Sequence, residues 1–431
     1  MFTLHTVCGT VELLEMPMNT PLYIWMITSE LPPEIAGGLG VHVAVLSRHL
    51  AARGVTIRFV LLPYYAAEGG NSYEWEGHTV YPLPFPRPGY TEEGGITVQA
   101  ELRDTLQRLR EKVAEDAQAG RVVIHAHEWF GALCGEHLAG QNYPLVTTFH
   151  LFSGMNSRGE CSIPGTEEGR LVFEAEQHAG RISNRIIHIS KAMQQTAAAY
   201  GFDTAREEVI HNCMDPELAA CIEDVERSTA RRQWCNETDF LVLAAGRFVE
   251  QKGFHFMLEA LMPALKLVPA LRLILAGQGD LYDKLTLLAN QYRGAVRIVP
   301  FQDRAGWASL IKAADAALVP SLYEPFGQIA LDYMSAGLPV LASDAGGLAE
   351  ILRHRENGLL IPLRHGRWPG YAEKRWFPDI NQYAAGIAEL FHNAAFRKTI
   401  GQSAALDAAE RFSADTQADA VLAVYEACVR G

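Results

Sequence analysis

The stretch from Asp315 to Leu352, DAALVPSLYEPFGQIALDYMSAGLPVLASDAGGLAEIL, alternates short apolar runs with loops rich in glycine and carboxylates. Asp315–Pro320 and Leu338–Ser343 read as buried strands, because each is a short apolar run bounded by turn residues. Gln328–Gly337 reads as a helix between them. That order makes the two strands parallel, and parallel α/β sheets bind ligands in the crevice beyond the carboxyl ends of their strands. Glu324 falls in the loop leaving the first strand, with Asp332 eight residues on. Were the helix to begin at Glu324, eight residues would give roughly 12 Å of rise and about 80° of rotation. That would set two carboxylates on one broad face.

The same alternation runs through the whole chain, twice. In the first half Tyr23–Thr28 reads as a strand, followed by the loop SELPPEIAGGLG and a helix from about Val41 to Arg53, with Gly54 as its stop signal. VTIRFVLLP, RVVIHAH, PLVTTFH, NRIIHIS and EEVIHN follow as further strands. SYEWEGHTVYPLPF and ITVQAEL read as a hairpin excursion, and Leu102–Ala119 as a charged, exposed helix. Pro216–Thr238 lacks strand character and marks a boundary. The pattern then restarts with FLVLAAG, helix Phe254–Leu267, LRLILAG, helix Asp280–Tyr292 and VRIVPF. Strands alternating with helices of this length predict parallel sheets covered on both faces. The expected fold is therefore α/β: two Rossmann-like, doubly wound parallel-sheet domains facing each other across a cleft.

We place the first domain at residues 21–215, joined by a C-terminal helix at 415–431, and the second at 216–414. Residues 1–20 read as a loosely held extension with no signal-peptide pattern, and Met16 and Met18 offer alternative starts. Leu363–Phe377 fits neither strand nor helix. Its Arg364, Arg367, Trp368, Arg375 and Trp376 belong either to a loop that stacks on sugars or to a surface excursion anchored by its tryptophans.

Composition narrows the function. A length of 431 residues suits about two domains, and 48% apolar with 20% charged residues is globular. A net charge of −13 excludes a protein that tracks nucleic-acid phosphates. The 7 cysteines form no C-x-x-C pair, which argues for a reducing, cytoplasmic setting over a disulfide framework or zinc site. No apolar run approaches the ~20 residues of a membrane span.

Several loops carry chemistry. Arg247 and Lys252 in AAGRFVEQKGF lie between a strand and a helix. There an Arg can grip a phosphate bidentately while a Lys adds a mobile point charge. Gly37, Gly38 and Gly40 precede the first helix, where bare backbone and the helix dipole favour an anion. His125, His127 and His150 end successive strands; with no third ligand near the first two in sequence, a metal site is not expected. No D-x-D motif is present, so cations and helix dipoles would meet any leaving-group charge.

The run E-P-F-G-x4-D at Glu324–Asp332, followed by G-x-P-V-x-A-S-x-x-G-G at Gly337–Gly347, resembles the signature of retaining glycosyltransferases of the GT-B fold, the group that includes glycogen and starch synthases. The resemblance covers about residues 22–431. It implies that Arg247 and Lys252 hold the pyrophosphate of a nucleoside-diphosphate sugar, Glu324 the sugar hydroxyls and Asp332 the ribose. Here Asp stands where relatives carry Glu, one methylene longer. Phe326, Gly327, Gln328 and Ile329 would form the helix start facing phosphate and sugar oxygens. Gly277 and Pro300–Gln302 would cradle the base. His150 is expected near the donor's anomeric centre. His127, Glu128, Trp129 and Glu174, with Ser190–Lys191, would line the acceptor side, and Asn212–Cys213 would form the hinge. Ile35 and Ala36 replace the Lys and Thr of the ADP-glucose enzymes' K-T-G-G-L loop. The last helix is expected to cross back onto the first domain.

These features predict a hexosyl transfer, with retained configuration and no cofactor or metal, from a UDP-sugar to a glycan or lipid-linked acceptor in polysaccharide biosynthesis. A lipid-linked acceptor would bring peripheral membrane contact. Glucan elongation from ADP- or UDP-glucose, a sugar-nucleotide epimerase of the same fold, and an inactive sugar-binding protein are the rival readings.

Overall fold

The computed structural model describes residues 20–430, apart from 35–36, 65–69, 92–93, 155–164, 260, 293, 370 and 372. The N-terminal extension and the Ile35–Ala36 replacement lie outside the described residues. The first sheet is built from β1 (Leu22–Thr28), β2 (Thr56–Leu61), β3 (Tyr73–Trp75), β4 (His78–Pro82) and, after a small β5–β6 hairpin (Pro88–Tyr90, Ile96–Val98), β7 (Arg121–His127), β8 (Leu145–Phe149), β9 (Arg185–His188) and β10 (Glu207–Val209). Its order is β10-β9-β8-β7-β1-β2-β4-β3. Every neighbouring pair is parallel except β3–β4.

The second sheet holds β11 (Phe240–Ala245), β12 (Leu271–Ala276), β13 (Val296–Val299), β14 (Ala316–Val319), β15 (Val340–Ser343) and β16 (Leu359–Ile361). Its order is β13-β12-β11-β14-β15-β16, parallel throughout. β8, β14 and β15 are buried along their whole length, which is why they read as unbroken apolar runs instead of alternating ones.

The strand order reverses between β1 and β7 in the first sheet and between β11 and β14 in the second. Such switch points open a crevice at the strands' carboxyl ends. The loops after β1, β7 and β8 and those after β11 and β14 therefore carry the candidate residues.

Three sequence expectations change. ITVQAEL contains only the short strand Ile96–Val98, because a helix takes over at Ala100 and runs to Ala119. Leu363–Phe377 is no irregular loop: β17 (Leu363–Arg367) pairs antiparallel with β18 (Lys374–Pro378). The excursion is anchored as its tryptophans allowed. Trp368 Nε1 donates to Glu259 Oε2 at 2.5 Å, and its ring meets Phe256 edge-on. The helix after Glu324 begins at Gln328, so Glu324 and Asp332 do not share a helical face.

The chain crosses back at its end. Helix Ala414–Arg430 packs on helix Gly38–Ala51 of the first domain, tied by Arg53–Asp419 and Arg121–Glu426 ion pairs, both 2.6 Å. Among the described residues, no helix is long and apolar enough to cross a membrane. Cys134, Cys213, Cys221, Cys235 and Cys428 are unpaired.

Candidate active site

The second sheet's switch point joins two of the predicted donor-side residues, Lys252 and Glu324. Gly277, leaving β12 at φ +155°, has no room for a side chain: a Cβ would fall 2.0 Å from the Gly246 carbonyl oxygen. The close approach fixes the loop that follows β11. That loop ends in the single turn Glu250–Lys252 and delivers Lys252 Nζ to 2.5 Å from Glu324 Oε1. Ser321 Oγ donates to the same oxygen at 2.8 Å. Glu324 is buried, yet its Oε2 accepts no hydrogen bond among the described residues. It is the free acceptor that a sugar hydroxyl would need. Arg247 is exposed, and its side chain has no ion pair or hydrogen bond among the described residues.

Gly327, at φ +111°, starts the helix Gln328–Ser335. Phe326 is buried and stacks on His211 with ring centres 5.7 Å apart, so it faces the first domain. Gln328 reaches across too: its Nε2 donates to the Cys213 carbonyl at 2.8 Å. Its Cβ also lies 3.7 Å from where a Gly38 side chain would be. Asp332 accepts from Trp307 Nε1 at 3.3 Å, and burial pushes its carboxyl up to about 7. Ile329 is half-buried at the helix start.

On the first domain, His127 Nδ1 and His150 Nε2 are 3.0 Å apart, ending neighbouring strands. His42, from helix Gly38–Ala51, closes the group with ring centres 4.7 Å from His150 and 5.4 Å from His127. One ring nitrogen from each of the three lies within 4.8 Å of the others, a set that could hold a metal ion. Sequence spacing did not reveal it, because the third histidine comes from another element. Burial lowers the pKa of His42 to about 4 and of His125 to about 3, and holds His127 and His150 well below the usual range. His125 is a satisfied core residue, between Thr148 Oγ1 at 2.8 Å and Tyr425 OH at 2.6 Å.

The glycine loop is already occupied. Glu30 Oε2 accepts from the N–H groups of Gly37 and Gly40, each at 3.1 Å. An anion arriving at this helix start would meet a carboxylate.

Of the residues expected on the acceptor side, Glu128 is buried and accepts from the backbone N–H of His150 at 2.7 Å and of Leu151 at 3.0 Å. Burial raises its pKa to about 8 against those hydrogen bonds. Trp129 packs near Phe85, and Glu174 accepts from Tyr90 OH at 2.7 Å.

The two domains touch around these loops. Ser190 Oγ donates to the Pro325 carbonyl at 2.5 Å. Glu350 accepts from the N–H groups of Lys191 at 3.0 Å and Ala192 at 2.9 Å, and lies 2.9 Å from His211 Nε2. Glu30, His42, Glu176 and Glu350 were not singled out from the sequence. Glu350 follows the Gly346–Gly347 turn, and that position was its one available signal.

The profile described as Glycosyltransferase Family 4 matches residues 36–218, and that described as Glycosyl transferases group 1 matches 226–407. The chain is 27% identical to an uncharacterised glycosyltransferase of Methanocaldococcus jannaschii, covering 94% of this chain and 97% of the relative. It is 28% identical to glycogen synthase of Mycobacterium tuberculosis, covering 95% of each. Among solved structures it resembles sucrose-phosphate synthase of Thermosynechococcus elongatus at TM-score 0.69 and 22% identity, covering 94% of this chain and 98% of that one. It also resembles the Anabaena protein HepE, solved with UDP and glucose, at TM-score 0.65 and 21% identity, covering 93% and 99%. With one profile on each half, full-length relatives and two facing parallel-sheet domains, this chain belongs to the glycosyltransferases of the GT-B fold.

Proposed function

We propose that this chain transfers a hexosyl group from a nucleoside-diphosphate sugar, a UDP-sugar before others, to a hydroxyl of a glycan or lipid-linked acceptor, with retention at the anomeric carbon. The observation that carries the reading is the Lys252–Glu324 pair at the switch point of the second sheet, reached from the same loop that carries the exposed Arg247. The pair offers Glu324 Oε2 to a sugar hydroxyl, and the two cations meet the diphosphate as its charge develops. Preorganised charge aimed at a leaving group lowers the barrier without reorganisation at the moment of reaction.

In this mechanism the bond from the anomeric carbon to the phosphate oxygen breaks while the acceptor oxygen approaches from the same face. The departing phosphate oxygen takes the acceptor's proton. Neutral His150 donates or accepts a hydrogen bond at the sugar without carrying charge. The chemistry needs no metal, and closure of the lobes keeps water from the donor. UDP and glucose in HepE, the fold relative, support the choice of donor.

Glucan elongation is the second reading, favoured by the match to a glycogen synthase along nearly the whole chain. Incubation with UDP-, ADP- and GDP-sugars, with and without gluco-oligosaccharides, separates the readings. We expect nucleoside-diphosphate release that depends on acceptor, and a product whose anomeric proton signal shows the donor's configuration. Donor turnover to an isomer without acceptor would make the protein an epimerase, and binding without turnover an inactive relative. An inverted product would overturn the retaining mechanism.

A further inference from the structure

Beyond β8 the chain passes through His150 to Gly154 without forming a strand or helix. Its backbone donors are met by side chains from three separate elements. Glu128, the first residue of helix Glu128–Ala139, takes the N–H groups of His150 and Leu151. Glu176, in the middle of helix Glu167–Ile182, takes that of Ser153 at 2.6 Å. Tyr200 OH takes that of Gly154 at 3.0 Å. Phe152 is buried between them, its ring 4.5 Å from that of Tyr200 and 5.0 Å from that of Phe149.

Glu176 is the unusual member. It is 1% exposed, and burial works against its charge while the backbone of Ser153 and the side chains of Ser153 and Tyr200 hydrogen-bond it. Burying a carboxylate costs stability even when hydrogen bonds offset part of the penalty. An apolar residue in the same helix would avoid that cost and would leave the Ser153 N–H unmet. What the carboxylate supplies is a fixed exit path for the chain carrying His150.

We propose that Glu176, acting with Glu128, is a positioning residue for transfer. The two carboxylates clamp the His150–Gly154 backbone, so that the His150 ring is held toward the donor and not left to the freedom of a loop. This rests on the donor-side role given to His150 above. Reacting groups must be held to well under an ångström, and a misplacement of about 1 Å costs about 10²-fold in rate. The clamp works through an acceptor oxygen, not through charge, so an amide of the same shape suffices.

The test is a double-mutant cycle on steady-state transfer, read as kcat and donor KM. Glu176→Ala should lower kcat by about 10²-fold with donor KM nearly unchanged. Glu176→Gln, whose amide oxygen still accepts and whose volume keeps the fold, should stay within about threefold of the parent. In a His150→Ala background Glu176→Ala should cost little more, because its effect passes through that ring. Equal losses in both backgrounds would overturn the clamp and leave the reading of His150 standing. An inactive but folded Glu176→Gln would also overturn it. Full activity of His150→Ala alone would instead remove the role of His150, and the clamp with it.

Discussion

Lys252 Nζ and Glu324 Oε1 are 2.5 Å apart, although 72 residues separate them in sequence. Ser321 completes the arrangement on the same oxygen, and the side chain of Glu324 is only 6% exposed. Lys252→Ala and Glu324→Ala should each lower transfer by at least about 10²-fold, the range for losing one preorganised group. Circular dichroism should show the fold intact. A folded variant of either kind with parental activity would refute the role of the pair.

Arg247 makes a contrasting case. Because its side chain is exposed and engages nothing among the described residues, Arg247→Ala should change stability by no more than about 0.5 kcal/mol. Its cost should fall on the donor. Calorimetric titration with UDP should show weaker binding, and Arg247→Lys should recover it only in part because a fork is replaced by a point charge. Unchanged UDP affinity would take Arg247 off the diphosphate.

Stability should fall on the alkaline side of neutrality. Burial holds the pKa values of His42, His125, His127 and His150 below the ordinary 6.5 and keeps them neutral, so each favours the folded state more as pH rises to 6.5 and adds nothing beyond it. Glu176 and Asp332 at about 7, and Glu128 at about 8, behave oppositely. Their raised folded values mean that stability present at acid pH is lost as pH climbs through those values. Thermal melts should therefore show a Tm that declines between pH 6.5 and 8.5, and Glu128→Gln should flatten most of the decline. A Tm still rising across that window would contradict the assignment.

Glu350 links the lobes through the Lys191 and Ala192 N–H groups and His211. Burial works against its charge, yet His211 and the two backbone donors hold its pKa below the usual range. Glu350→Ala should leave each lobe folded and loosen their contact. We expect a larger radius of gyration by small-angle scattering and a lower kcat, with hydrolysis of the donor rising relative to transfer. No change in either scattering or product ratio would make the link incidental.

The strands were legible because burial on both faces leaves continuous apolar runs such as FLVLAA in β11, and the glycine at the end of such a run marks a strand exit. The switch-point loops were legible for the same reason, whereas the grouping of Arg247, Lys252 and Glu324 came from the resemblance of their motifs; of these, the structure pairs Lys252 with Glu324. What stayed hidden depended on register between distant elements. His42 looks like an ordinary residue of an amphipathic helix, and only the packing of that helix brings it to His127 and His150. Glu176 sits two residues past Glu174 on the same helix; the sequence drew attention to the one that pairs with Tyr90, not to the one turned inward. The β17–β18 hairpin was missed because its strands, rich in charge and tryptophan, lack a buried face.

The most direct test is a crystal of the chain grown or soaked with its nucleoside-diphosphate sugar. The account predicts the diphosphate between Arg247 and Lys252, with the sugar's hydroxyls on Glu324. A diphosphate bound away from both cations, or seated on the Gly37–Gly40 loop in place of Glu30, would contradict it.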